Sequence, residues 1–202
     1  MTTQTASSFA LASALRRWRL LHDVKQAHAA ALFGVAQSTV SRWEAGQQAM
    51  NSAERARVEA LVAARLDSAA DRVLATLVSE SPRAVHLMCD LTHRLLACSP
   101  TRANEFRVPV DQLIGRSLLC YATEEINVQE RALLDRGWFD ESVPTPVEFD
   151  TGENRSRIVP IWPSRCRWTR LLLSDGTTAR LVETIKRFGR SSRVDRPMPP
   201  TP

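Results

Sequence analysis

Between Lys25 and Gly46 the chain has room for two short helices and one tight turn. The first segment, from about Lys25 to Phe33, is mostly apolar and stops at Gly34. Glycine supplies a turn there, because it takes a positive φ at little steric cost just past a helix end. The second segment starts at about Gln37 and ends near Ala45-Gly46. Ala30 is small where two helices would cross, Val35 is placed to plug the turn, and Val40 and Trp43 share one helical face. Gln37, Ser38, Ser41 and Arg42 fall on the opposite face. Two short helices, a Gly-containing turn and an apolar inner face make the helix-turn-helix pattern. Gln, Ser and Arg are side chains that hydrogen-bond base edges and phosphates.

The flanking sequence fits this pattern. A helix is predicted from Phe9 to Leu21, with Leu11, Leu15, Trp18 and Leu21 on one face and His22-Asp23 at its end. A fourth begins near Asn51 or Ser52, either of which can cap it. From Phe9 to Met50 five basic residues, Arg16, Arg17, Arg19, Lys25 and Arg42, stand against two acidic ones, Asp23 and Glu44. The whole chain carries a formal +5 over 202 residues, which favours a polyanionic partner. The four cysteines lack CxxC spacing, so neither a zinc site nor a redox pair is expected. No apolar run reaches the roughly 18 residues that a membrane span needs, and no secretory leader is legible, so the expected location is the cytoplasm with reduced thiols.

The segments Leu15-Arg16-Arg17-Trp18-Arg19, Gln26, Ala30, Gly34-Val35, Gln37 to Glu44, and Gly46 resemble the phage-repressor-like XRE family, without gaps. That resemblance implies an all-α, lambda-repressor-like domain binding double-stranded DNA. It implies that Gln26 touches a phosphate and braces Gln37, and that Gln37 and Ser38 read bases. Arg42 would reach a base or phosphate further along, and Thr39 and Ser41 would contact the backbone. Arg16 and Lys25 complete the expected contact set. The chain departs from the family at Asp23, where Gly is frequent, at Ala36, where a Ser or Thr cap is usual, and at Ala29, where a larger apolar residue is common.

From Ala53 to Val78 there is neither Pro nor Gly, and Val58, Val62, Leu66, Ala69, Val73 and Leu77 form one stripe at helical spacing. A continuous linker helix is therefore expected. Its first turns would pack on the DNA-binding domain, and Leu66, Val73 and Leu77 would form a homodimer seam.

Pro82 ends the helical half, and β-branched clusters then alternate with turn signals. Strands are expected at Ala84–Cys89, Arg94–Cys98, Val147–Phe149, Arg157–Trp162, Trp168–Leu173 and Ala179–Ile185. A short helical region is expected after Ser99-Pro100, a helix from Asn127 to Trp138, and a hairpin turn at Ser174-Asp175-Gly176-Thr177. This order, with the stretches from Asp90 to Phe106 and Asp111 to Leu118, resembles a PAS domain from about Pro82 to Arg187. The resemblance implies a five-stranded antiparallel sheet, and a sensing or dimerising role with a small-molecule cavity against the helices. Some sensors of that family hold haem, which would make His86 or His93 a ligand. The ordinary reading is a core or surface histidine, and no cofactor is assigned.

The expected class is α+β: a helix-turn-helix domain at 9–52, a linker and dimerisation helix at 53–81, a PAS-like domain at 82–188, and a disordered basic, Pro-rich tail at 189–202. The expected function is a non-enzymatic transcriptional regulator, repressor-like, that binds double-stranded DNA as a homodimer and answers to a small-molecule effector. The alternatives are a DNA-tethered adaptor and an antitoxin-like repressor, each with a C-terminal half that binds a partner protein.

Overall fold

The computed structural model describes residues 2–139 and 144–188, with side chains from residue 10 onward. The tail expected at 189–202 lies outside the described residues. Helices α1 (Thr2–Leu21), α2 (Gln26–Phe33), α3 (Gln37–Glu44) and α4 (Ser52–Val62) form the N-terminal unit. Its core is Leu11, Leu15, Ala29, Ala30, Phe33, Val40, Trp43 and Val58. Asp23 takes a φ of 50° and so does what a Gly would do at the end of α1. Arg57 of α4 donates to the carbonyls of Phe33 and Leu32 at 2.9 and 3.0 Å, which satisfies the C-terminal end of α2.

The expected continuous helix from Ala53 to Val78 is two helices. α4 stops at Val62, Ala63 is extended with φ −77° and ψ 124°, and α5 runs over Ala69–Ser79. Two local causes make the break. Ser68 and Asp71 form a capping box, in which the Ser68 side chain accepts from the Asp71 N–H and Asp71 accepts from the Ser68 N–H. The backbone also turns in towards Cys89: its thiol donates to the Val62 carbonyl, and the Ala64 N–H points at the same sulfur at 3.3 Å. Asp71 further accepts from the N–H and hydroxyl of Ser174 at 3.1 and 3.0 Å, so the start of α5 is docked on the hairpin turn.

The C-terminal unit is a five-stranded antiparallel sheet in the order β2-β1-β5-β4-β3. The strands are β1 (Val85–Cys89), β2 (Leu95–Cys98), β3 (Val147–Thr151), β4 (Ser164–Leu172) and β5 (Thr178–Arg187). This is the sheet that the PAS resemblance implies. Helices α6 (Pro100–Ala103) and α7 (Glu124–Ala132) lie between β2 and β3 in the chain. α5 packs on β1 and β2, through Leu74, Ala75 and Val78. The hairpin turn forms as expected, with Leu173 N–H bonded to the Thr177 carbonyl at 2.8 Å.

Two expected elements differ. The strand at Arg157–Trp162 is a loop, because Pro160 and Pro163 cannot donate to a ladder. Asn154 organises it instead, donating to the Tyr121 and Val159 carbonyls and accepting from the Ser156 and Ile161 N–H groups. The helix expected at Asn127–Trp138 starts earlier and ends sooner. Thr123 caps α7 by accepting from the Ile126 N–H, and the chain turns after Ala132, with Gly137 at a φ of 67°.

The break between α4 and α5 is testable by one substitution. Ser68→Ala removes a cap and should lower stability by about 0.5–2 kcal/mol in urea unfolding. A continuous helix would give the opposite sign, since Ala is the better helix former at an interior position.

Candidate functional site

α3 presents what its sequence pattern requires. Val40 and Trp43 are fully buried, Gln37, Ser38 and Arg42 are exposed, and Thr39 and Ser41 are half-buried. Neither α2 nor α3 has a side-chain cap, since Lys25 and Ala36 occupy the cap positions. Their first-turn N–H groups and positive helix ends are thus left for an anion such as phosphate. Lys25 and Arg16 are exposed nearby in the chain, and Gln26 is half-buried.

A chain of hydrogen bonds holds the reading residue in place. Gln37 Nε2 donates to Gln26 Oε1 at 2.7 Å, and Gln26 Nε2 donates to Glu44 Oε2 at 3.0 Å. Glu44 in turn receives both Nε and Nη2 of Arg19, at 2.6 and 2.7 Å. These bonds to Glu44 raise the Arg19 pKa against the opposing effect of burial. With one amide hydrogen spent on Gln26, Gln37 keeps a second N–H and its carbonyl oxygen, the pair that reads an adenine edge. The bracing of Gln37 by Gln26 agrees with the expectation. The anchor of the chain, Arg19 with Glu44, was not among the expected site residues; both are charged residues whose pairing across 25 positions no local pattern announces.

A second cluster links this unit to the sheet. Arg180 on β5 is fully buried. Its Nε donates to Asp90 Oδ1 at 2.7 Å, its Nη1 to Glu130 Oε1, and its guanidinium lies 4.4 Å from the Trp168 ring centre. Trp138 Nε1 donates to the other Asp90 oxygen at 3.0 Å. Glu130 on α7 also meets His93 Nε2 at 3.1 Å. Its remaining oxygen and its carbonyl accept from Arg17 of α1, at 3.2 and 3.3 Å. Burial works against the Glu130 carboxylate, yet Arg180, His93 and Arg17 outweigh it and hold its pKa well below the usual carboxylate range.

Glu130 and His93 also line a cavity of about 70 Å³ between the sheet and the segments around α6 and α7. Its walls include His86 and Met88 of β1, Phe149 of β3 and Trp168 of β4. Both histidines singled out in the sequence are buried, but a space of this volume does not fit a haem macrocycle. Burial, then the charges of Arg102 and Arg180, push the His86 pKa well down, so its ring is neutral.

Two predictions follow from this geometry. Gln37→Ala and Arg42→Ala should each weaken specific DNA binding by about 1–3 kcal/mol and relax preference at one base position. Arg16→Ala should weaken all sequences alike and reduce the salt slope, measured by anisotropy across salt concentrations. For Glu130 the folded pKa is depressed, so its contribution to stability is complete above the unfolded carboxyl value of about 4.3. It is lost as pH falls through the folded value. Glu130→Gln should therefore be less stable than wild type at pH 7, with the gap narrowing below about pH 4.3 in chemical denaturation.

Residues 15–56 match the sequence profile of a family described as Helix-turn-helix. No curated protein sequence matches the chain. Among solved structures, the chain is similar to the PAS domain of Bordetella pertussis BvgS, at 12% identity over 59% of this chain and 86% of that one, with a TM-score of 0.39. It is also similar to a sensory box sensor histidine kinase from Vibrio cholerae, at 10% identity over 58% and 93%, with a TM-score of 0.36. An RNA-binding light-oxygen-voltage receptor is similar at 13% identity and a TM-score of 0.41, covering 90% of this chain and 60% of that one. The chain thus joins a segment that matches a helix-turn-helix family, residues 15–56, to a five-stranded antiparallel sheet in the order β2-β1-β5-β4-β3.

Proposed function

We propose that the protein is a cytoplasmic, non-enzymatic transcriptional regulator of repressor type, in which the PAS-like unit sets the position of two helix-turn-helix heads on double-stranded DNA. The observation that carries this reading is the Arg17–Glu130 pair. Arg17 lies on α1 between Arg16, an expected phosphate contact, and Arg19, the anchor of the Gln37 brace. Glu130 is a wall of the body's cavity. A change in that cavity therefore reaches the helix that supports the reading face through one ion pair. Glu59 of α4 with Arg94 beside β2 adds a second link between the two units.

Each head offers one short recognition helix, which reads only a few base pairs, so selecting a site in a genome calls for two heads. The stripe expected at the seam is divided by the fold. Val58 and Val62 are buried, Leu66 is half-buried, and Val73 and Leu77 stand 58% and 64% exposed on α5. Val73 and Leu77 are one helical turn apart, on the side of α5 away from the sheet, and a second copy of α5 is the occupant this reading assigns to them. Half-sites should then lie about 10–10.5 base pairs apart, or a multiple of that.

Arg17→Met tests the coupling in the full-length protein. It should weaken binding to a two-half-site operator by about 5- to 150-fold, while binding to a single half-site stays unchanged. Equal affinity of variant and wild type for the full operator would remove the role of the pair. Val73→Glu with Leu77→Glu should give a monomer in sedimentation equilibrium; a dimer that persists would place the seam elsewhere.

A further inference from the structure

The wall of the cavity beside β1 includes a buried cationic donor that the fold leaves unanswered. Arg102 of α6 is 12% exposed at its side chain and lines the cavity. Its Nη1 is bonded to Glu105, whose other oxygen is taken by Arg187. One carboxylate thus serves two guanidinium groups. Arg102 Nε is buried with no hydrogen-bond partner among the described residues. His86, 5% exposed, lines the same cavity, and a neutral imidazole carries one donor and one acceptor. A buried cationic donor is costly to leave without a partner.

The rest of the wall sets the size and character of an occupant. Leu118, Ile126, Phe149, Val159 and Trp168 are apolar. Glu130 also lines the cavity, and its charge is already met by Arg180 and Arg17, so it offers nothing to a cation. An anionic group finds its partner in Arg102. A volume of about 70 Å³, at roughly 10–15 Å³ for each water-sized occupant, admits a ligand of about five to seven non-hydrogen atoms.

We propose that this cavity is a binding site for a short-chain monocarboxylate, of the size of propionate or butyrate. Its carboxylate accepts from Arg102 Nε and from the His86 ring N–H, and its alkyl chain lies among Ile126, Phe149 and Trp168. A neutral alcohol or amide fits the volume but leaves the excess charge of Arg102 unmet. The site rests on the sensory reading of the domain only for what its occupancy does to DNA.

The test uses the full-length protein, with butyrate and propionate as probes and butyramide and propionamide as neutral isosteres, by calorimetry and tryptophan fluorescence. The carboxylates should bind one per chain, about 10- to 100-fold tighter than the amides. Arg102→Met should abolish that preference and Arg102→Lys should restore part of it. Equal binding of acid and amide, absence of acid binding at millimolar concentration, or an unchanged preference in Arg102→Met would each overturn the proposal. Should Arg102→Met fail to fold, the contrast of acid and amide on wild type decides alone. Operator affinity is then measured with and without saturating butyrate. An unchanged operator affinity with butyrate bound counts against the sensory reading and leaves the site intact.

Discussion

A guanidinium with no exposure to water shapes this molecule. Arg180 occupies the middle of a sheet strand, and its charge can persist there only if carboxylates meet it in place of solvent. Asp90 at the end of β1 and Glu130 on α7 do so, and the rings of Trp168 and Trp138 cover its faces. Removing either carboxylate would leave a buried charge partly unpaired, a change that costs about 3–5 kcal/mol in comparable settings. The position of α7 against the sheet is therefore held by charge as well as by apolar packing. Because Glu130 has a second oxygen and a free carbonyl, the same cluster also captures Arg17 and brings α1 to the body.

The head follows the same logic at lower burial. Arg19 and Glu44 form a two-bond pair, Gln26 is held by that pair, and Gln37 is held by Gln26. The consequence is that the exposed Gln37 amide is held in one orientation, so less side-chain entropy would be lost if it met a ligand. α1 contributes to both systems from opposite sides of one turn, with Arg17 facing the body and Arg19 facing the head. The two polar networks thus share one helix without sharing a residue.

The link between the units is a broken helix pinned to the sheet at two points. The extended residues after Val62 draw the chain against Cys89, and the Ser68–Asp71 cap seats α5 on the hairpin at Ser174. The chain is thereby fastened to the sheet on both sides of the break.

The helix-turn-helix was legible in the sequence because its determinants are local: Gly34 for the turn, Val40 and Trp43 for the inner face, Gln37 and Arg42 for the outer one. The five-stranded antiparallel sheet was legible only through a resemblance and its strand order not at all, since strand pairing is a long-range matter. The start of α5 did carry a local signal, Ser68 with Asp71 three residues on, but apolar periodicity over Val58 to Leu77 masked it. At Arg157–Trp162 the prolines 160 and 163 outweigh β-branched content, and no neighbouring strand offers a ladder. Glu130, Arg180, Arg17 and Arg102 look in sequence like ordinary surface charges. Local composition determined the reading head of this protein. The tertiary structure alone decided that Glu130, Arg180 and Arg17 lose their water, because Glu130 pairs with residues 50 and 113 positions away, and no window of sequence holds both partners.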